Sequence, residues 1–178
     1  MAENLTLKEI VEEEFGNFEP IVKVVQGVSK FSYELVISDG IYLPNFSKSD
    51  ALALGEGITR ELISNSLKSI FGVRRLIQIK RLADCGKLLA IYPGIKVGLS
   101  TSADNYVLTV CDNGPGIPPE SLHRIWERGF STFGTSGIGL TFMKKEVETR
   151  FNGRIEVESE PNKETKFSVY IPLSDRSY

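Results

Sequence analysis

A chain of 178 residues can build one domain with a sizeable core. Its 41% hydrophobic and 25% charged residues fit a soluble globular protein, and a net charge of −2 gives no global pull toward nucleic acid or an anionic membrane. No run reaches the roughly 18 apolar residues of a membrane helix, and the acidic first twenty residues lack a signal-peptide core, so the default expectation is a single cytoplasmic domain, monomeric in isolation.

Thr6 followed by Glu9 has the form of a capping box, and Leu7, Ile10, Val11 and Phe15 follow at helical spacing, predicting a helix over 6–15. "FSYELVIS" (31–38) reads as a strand ended by Asp39-Gly40. "SKSDALALGEGITRELISNSLKSIF" (47–71) predicts a long helix capped by a Ser or Asp near its start; Gly55 and Gly57 weaken its first part by about 1 kcal/mol each relative to Ala. Residues 71–94 fit both a helix and a hairpin, and the pattern does not choose between them. "IKVGLST" (95–101) and "YVLTVCD" (106–112) are strands joined by "SADN". "PPESLHRIWE" predicts a short helix with Leu122, Ile125 and Trp126 on one face. Leu140, Met143, Val147 and Phe151 form a stripe over 139–151, a helix that Asn152-Gly153 ends. "RIEVES" and "TKFSVYI" close the chain as alternating strands. Antiparallel strand pairs with helices between them predict an α+β sandwich, one mixed sheet with helices on one face.

The cysteines, Cys85 and Cys111, read as two free thiols; a disulfide has no support in the pattern. The single histidine, His123, rules out a His-rich metal site and a Ser-His triad within this chain.

Three stretches carry chemistry. In "ELISNSLK" a rotation of about 100° per residue puts Glu61, Asn65 and Lys68 on one helix face, opposite Ile63, Leu67 and Ile70. Asn offers a neutral oxygen to Mg²⁺, Lys a point charge to phosphate and Glu a base, although the stretch alone reads first as a solvated helix face with an i,i+4 polar pair. In "CDNGPGIPPE" a strand ends in Asp112, and a proline-started helix rather than a second strand follows the glycines; Asp112 can accept a hydrogen bond from an amino group. In "GFSTFGTSGIGL" Gly137 and Gly139 open a helix whose backbone N–H groups favour an anion. Neither a P-loop nor a dinucleotide fingerprint is present.

Taken in this order the chain resembles the ATP-binding catalytic domain of sensor histidine kinases, in the wider group with DNA gyrase, the mismatch-repair ATPases and the heat-shock chaperone ATPases. "ELISNSLK" is similar to that family's asparagine box, "DNGPGI" to its first glycine box, "IWERGFSTF" to its phenylalanine box and "GTSGIGL" to its second glycine box. The resemblance runs from residue 5 to 173 and implies a two-layer α/β sandwich of the Bergerat type, with about five mostly antiparallel strands under about three helices. It implies ATP and Mg²⁺ as cofactors. Asn65 would hold the metal, Glu61 would match a general base or a polar supporter, and Lys68 would contact phosphate. Asp112 would receive the adenine amino group, and Gly114, Gly116 and Ile117 would line the adenine pocket. Arg124, Phe130, Ser131 and Thr132 would form the lid. Gly137, Ile138, Gly139 and Leu140 would present N–H groups to phosphate, and Thr165 would support Asp112.

The sequence also departs from the family. "NKET" keeps only Thr165 of the third glycine box, the lid is short, and Phe133 stands where related lids often carry a lysine. Residues 71–94 are an insertion whose Arg74, Arg75, Lys80, Arg81 and Lys87 read first as a solvated face and second as a surface for an acidic partner. No dimerisation helix bearing a phosphoacceptor histidine is present, and His123 falls in the wrong context, so the acceptor domain is expected elsewhere, in a longer protein or in trans, with a response regulator downstream. A hydrolysing conformational switch using Glu61, a non-catalytic nucleotide-binding module and a phosphoserine kinase are the alternatives.

Overall fold

The computed structural model describes residues 5–17, 32–38, 45–71, 94–132 and 134–173. The core lies between one sheet and the helices on one of its faces. Strands β2 (Ser32–Ile37), β4 (Gly94–Ser102), β5 (Asn105–Asp112), β6 (Arg154–Glu160) and β7 (Glu164–Pro172) pair in the order β2-β4-β5-β7-β6. β2 runs parallel to β4 and every other pair is antiparallel, the mixed, mostly antiparallel sheet expected. Alternation sets the faces: Ile95, Val97 and Leu99 of β4, Tyr106, Leu108 and Val110 of β5, and Phe167, Val169 and Ile171 of β7 all enter one core. Lys96, Thr109, Cys111 and Lys166, the intervening residues, lie on the other face.

Three helical stretches cover the core side. Helix α1 (Leu7–Asn17) buries Ile10 and Val11. A continuous helical run follows Ser47, whose hydroxyl accepts from the Asp50 N–H (3.2 Å). It comprises α2 (Lys48–Leu52), a π-helical segment (Ala53–Thr59) and α3 (Arg60–Phe71). The wide segment coincides with the two glycines: the Arg60 N–H reaches back to the Gly55 carbonyl and the Thr59 hydroxyl donates to the Leu54 carbonyl at 2.8 Å. Gly55 also lets α1 approach, since a Cβ there would stand 3.2 Å from Ile10 and 3.3 Å from Glu14. Glu14, though buried, is satisfied by a two-point pair with the Arg60 guanidinium (2.9 and 3.0 Å). Helix α4 (Gly139–Arg150) buries Met143 and Val147, with Phe151 behind them, and Asn152 (φ 48°) turns the chain out. Arg150 ties this helix to α2 through Asp50 (2.7 Å) and Ser49 (2.7 Å).

Two expectations change. The helix read over 6–15 is Leu7–Asn17, because Leu5–Thr6 (β1) pairs antiparallel with Asn45–Phe46 (β3), a ribbon too short to leave a pattern. The helix expected over 118–127 is two separate 3₁₀ turns, Pro119–Ser121 and Arg124–Trp126. Pro118 is extended (φ −57°, ψ 140°), and the first turn closes by i→i+3 bonds, the Ser121 N–H onto the Pro118 carbonyl (2.8 Å) and the Leu122 N–H onto the Pro119 carbonyl (3.3 Å). Ile125 is buried and the Trp126 ring meets Phe167 edge-on, but Leu122 is only half-buried. The insertion with its basic cluster and Cys85 lies almost wholly outside the described residues, as does Phe133.

Leu67, in α3, is fully enclosed by the sheet-facing core. Leu67→Ala should lower the unfolding free energy by about 2–5 kcal/mol, read from urea denaturation.

Candidate functional site

A cleft of about 520 Å³ opens between α3, the end of β5, the loop over 115–118, the segment 130–137 and the start of α4. Glu61, Asn65 and Lys68 share its α3 wall: the Lys68 ammonium lies 3.9 Å from Glu61 Oε1 and donates to Asn65 Oδ1 at 3.4 Å. Their common face follows from helical spacing, because Leu62, Ile63, Leu67 and Ile70 turn the opposite side into the core.

Glu61 also meets the first turn of α4. A Cβ on Gly139 would fall on the Glu61 carboxylate, so only glycine permits this approach. No side chain caps α4 at Ile138, and a carboxylate at that end meets the positive pole of the helix. Gly137 (φ +63°) accepts the Gly129 N–H at 3.0 Å, closing the lid segment at its base; a Cβ there would strike the Phe130 backbone at 2.5 Å. Ser131 and Thr135 join hydroxyls across the loop (2.8 Å).

Asp112 forms the other end. Its side chain is 3% exposed, and its two oxygens each take one donor: the Ser66 hydroxyl on Oδ2 (2.8 Å) and the Gly114 N–H on Oδ1 (3.0 Å). Burial pushes the Asp112 carboxyl from 3.8 up to about 6, and these two hydrogen bonds pull it the other way. The glycine loop is pinned by Ser159, whose hydroxyl accepts the Ile117 N–H (2.8 Å) and donates to the Glu164 carbonyl (2.9 Å), with Thr165 Oγ1 also 2.9 Å away. Gly116 (φ +73°) has no room for a side chain, since a Cβ would stand 2.5 Å from the Glu160 carbonyl oxygen.

Thirteen of the sequence-derived site residues therefore border one cleft: Glu61, Asn65 and Lys68; Asp112, Gly116 and Ile117; Phe130, Ser131 and Thr132; Gly137, Gly139 and Leu140; and Thr165. Three do not. Gly114 sits behind the Asp112 carboxylate, where a Cβ would crowd that oxygen (2.7 Å) and Ser69 (2.8 Å). Arg124 lies outside, its guanidinium 4.5 Å from the Phe130 ring centre and 3.6 Å from Glu127. Ile138 exposes its side chain. Thr165 pairs opposite Asp112 in the β5–β7 ladder, while its hydroxyl is engaged by Ser159. Ser66, Ser69 and Ser159 escaped the sequence reading. The available signal for Ser66 was a small hydroxyl on the buried flank of an amphipathic helix. His123 is exposed, and Cys111 is a free thiol that burial pushes up to about 11.

A model of the histidine kinase-, DNA gyrase B- and HSP90-like ATPases matches residues 50–175. The chain belongs to this ATPase family. A probable C4-dicarboxylate sensor kinase of Halalkalibacterium halodurans is 42% identical over 79 residues, covering 44% of this chain and 15% of that protein. The sensor histidine kinase DcuS of Escherichia coli K12 is 47% identical over 64 residues, 35% of this chain and 12% of its own length. The chain thus spans a small part of these curated relatives. The fold is that of the catalytic domain of the histidine kinase ThkA (TM-score 0.70, 18% identity, 97% of this chain and 99% of that one). It also matches ThkA solved in complex with the response regulator TrrA (TM-score 0.70, 17% identity, 99% of this chain and 43% of that one).

For an ATPase of this family the buried acid carries a stability cost with a defined sign. Asp112 is protonated more readily folded than unfolded, so its contribution becomes unfavourable as pH rises from about 4 through 6. Across that window the parent should lose on the order of 3 kcal/mol relative to Asp112→Asn. Urea denaturation of both proteins at pH 4 and pH 7 reads the difference.

Proposed function

We propose that the cleft binds ATP with Mg²⁺, and that the domain passes the γ-phosphoryl to a histidine on a dimerisation domain outside this chain, from which a response regulator is then phosphorylated. The observation that carries the reading is the convergence on one cleft of Glu61, Asn65 and Lys68, the start of α4, and a buried carboxylate at the far end.

Adenine fits the Asp112 end, its amino group donating to the carboxylate beside the apolar Ile117 and Phe167. Thr165 and its partner Ser159 offer hydroxyls for an adenine-side water. The phosphates fit the Lys68 and α4 end, where Gly137, Ile138, Gly139 and Leu140 supply backbone N–H groups. Ile138 needs only its backbone for this. Phe130, Ser131 and Thr132 close over the nucleotide, and Arg124 acts on the lid from outside by bracing Phe130.

The donor set suits magnesium. Asn65 offers an amide oxygen and Glu61 a carboxylate in the same corner, and no group of three or more His, Cys, Asp or Glu gathers among the described residues. An ion held by so few protein oxygens takes its remaining ligands from phosphate and water, as Mg²⁺ prefers. When bound it would neutralise phosphate charge. The chain's residues otherwise work by positioning and by excluding water. In the transfer an imidazole nitrogen bonds to phosphorus as the bond to the ADP oxygen breaks. Glu61 is the group suited to take the proton the acceptor releases.

The same carboxylate supports a second reading, in which Glu61 activates water and the domain is a hydrolysing switch. No described helix is long and apolar enough to cross a membrane, and a cytoplasmic position, as part of a longer sensor, fits the proposed activity.

Asp112→Asn should weaken ATP binding roughly 10- to 100-fold by calorimetry; unchanged binding would sink the adenine assignment. With a histidine-bearing helix pair supplied in trans, the parent should form an acid-labile phosphoprotein and Asn65→Ala should not. Steady phosphate release, lost in Glu61→Gln and without transfer, would select hydrolysis instead.

A further inference from the structure

Ser66 takes no part in the chemistry described above, yet it is 3% exposed and its hydroxyl donates to Asp112 Oδ2 at 2.8 Å. It follows Asn65 on α3, so the same helix turn that carries Asn65 into the cleft carries Ser66 against the end of β5. We propose that Ser66 is a specificity-determining residue for adenine: by donating to the buried carboxylate it keeps Asp112 an acceptor, so that a 6-amino purine is taken and a 6-oxo purine refused. The inference rests on the ATP reading of the cleft.

The chemistry is a matter of counting donors. An ionised carboxylate only accepts, whereas its protonated form also donates. Adenine presents an amino donor at its 6-position, and guanine presents a carbonyl acceptor there. A protonated Asp112 could therefore satisfy guanine, and an ionised one cannot. With Ser66 on one oxygen and the Gly114 N–H on the other, both oxygens are oriented, and lone pairs remain to receive adenine. Burial favours protonation, and these two donors are what oppose it.

Among the described residues no charged side chain shares that task. The groups around Asp112 are Ser66 and Ser69 from α3, Ile95 from β4, Thr165 from β7 and the Gly114 N–H from the glycine loop. The ionisable groups nearest in the cleft and chain are Glu61, Lys68 and Cys111; Lys68 is turned to Glu61 and Asn65, and the Cys111 thiol to Glu164. Deleting the Ser66 hydroxyl therefore removes one of two donors with no ion pair to replace it.

The test measures the Asp112 carboxyl by ¹³C NMR in the nucleotide-free chain, together with ATP and GTP affinities from pH 5.5 to 8.5. Ser66→Ala should raise the Asp112 titration midpoint by about one pH unit. It should weaken ATP about threefold near pH 6.5 and nearly tenfold at pH 5.5, narrow the ATP-over-GTP ratio most at low pH, and change little at pH 8.5. Ser66→Thr, which keeps a hydroxyl, should restore the parent midpoint, and Ser66→Cys, a weaker donor of similar size, should fall between and serves if the alanine variant does not fold. An unmoved midpoint and an unmoved ATP-over-GTP ratio in a folded Ser66→Ala or Ser66→Cys chain would overturn the proposal. A parent chain that binds neither nucleotide would overturn the ATP reading instead, a result the nucleotide-free titration keeps separate.

Discussion

The packing of Leu62, Ile63, Leu67 and Ile70 into the core fixes the rotation of α3 about its own axis. Everything in the cleft depends on that rotation. A helix buries about half its circumference, so the face opposite the core is set once the apolar side is seated. Glu61, Asn65 and Lys68 occupy the open face, and Ser66 falls on the boundary, against the end of β5. One helix thus serves both ends of the cleft. Slipping it by a single residue would swing the polar set by roughly 100° and separate it from α4.

Charge is arranged around that helix in opposed pairs. The start of α4 is electropositive, and the Glu61 carboxylate rests there beside the Lys68 ammonium. An anion already stands where further anions would gather, so a polyphosphate and Glu61 compete for the same pole unless a cation lies between them. The Lys68 ammonium stands beside Glu61 in that corner, and the proposed Mg²⁺ would ease the same competition. At the far end the logic reverses: Asp112 has no cation beside it, and neutral donors alone offset its burial.

Much of this was legible in the sequence because it follows from periodicity. The 3.6-residue pattern of 60–71 gave both the buried and open faces, and the alternation of "IKVGL", "YVLTV" and "KFSVYI" gave the sheet. The glycines of "DNGPGI" and "GTSGIGL" marked positions where a Cβ has no room, as Gly116, Gly137 and Gly139 show. What stayed hidden was decided by contacts remote in sequence. The π-helical segment depends on Thr59 and on α1 lying over Gly55. The turns after Pro118 looked helical because Leu122, Ile125 and Trp126 have helical spacing, while i→i+3 bonds close each turn separately. Arg124 carries its charge away from the cleft because the Phe130 ring and Glu127 hold it. Ser66 reaches Asp112 and Ser159 reaches Ile117 across 46 and 42 residues, which no local pattern announces.

The union of α1 with Gly55 and Arg60 bears on where this domain begins. The family model matches from residue 50, yet Ile10 and Val11 belong to the same core as Leu54 and Ile58, and Glu14 is the buried counter-ion of Arg60. Excising the chain at residue 50 would take from Arg60 its two-point partner, leaving the longer contact with Glu56 (3.8 Å), and would uncover Gly55 on the helical run that leads to Glu61. The packed core thus extends beyond the stretch the family model matches, and it includes a helix whose sequence says nothing of nucleotides.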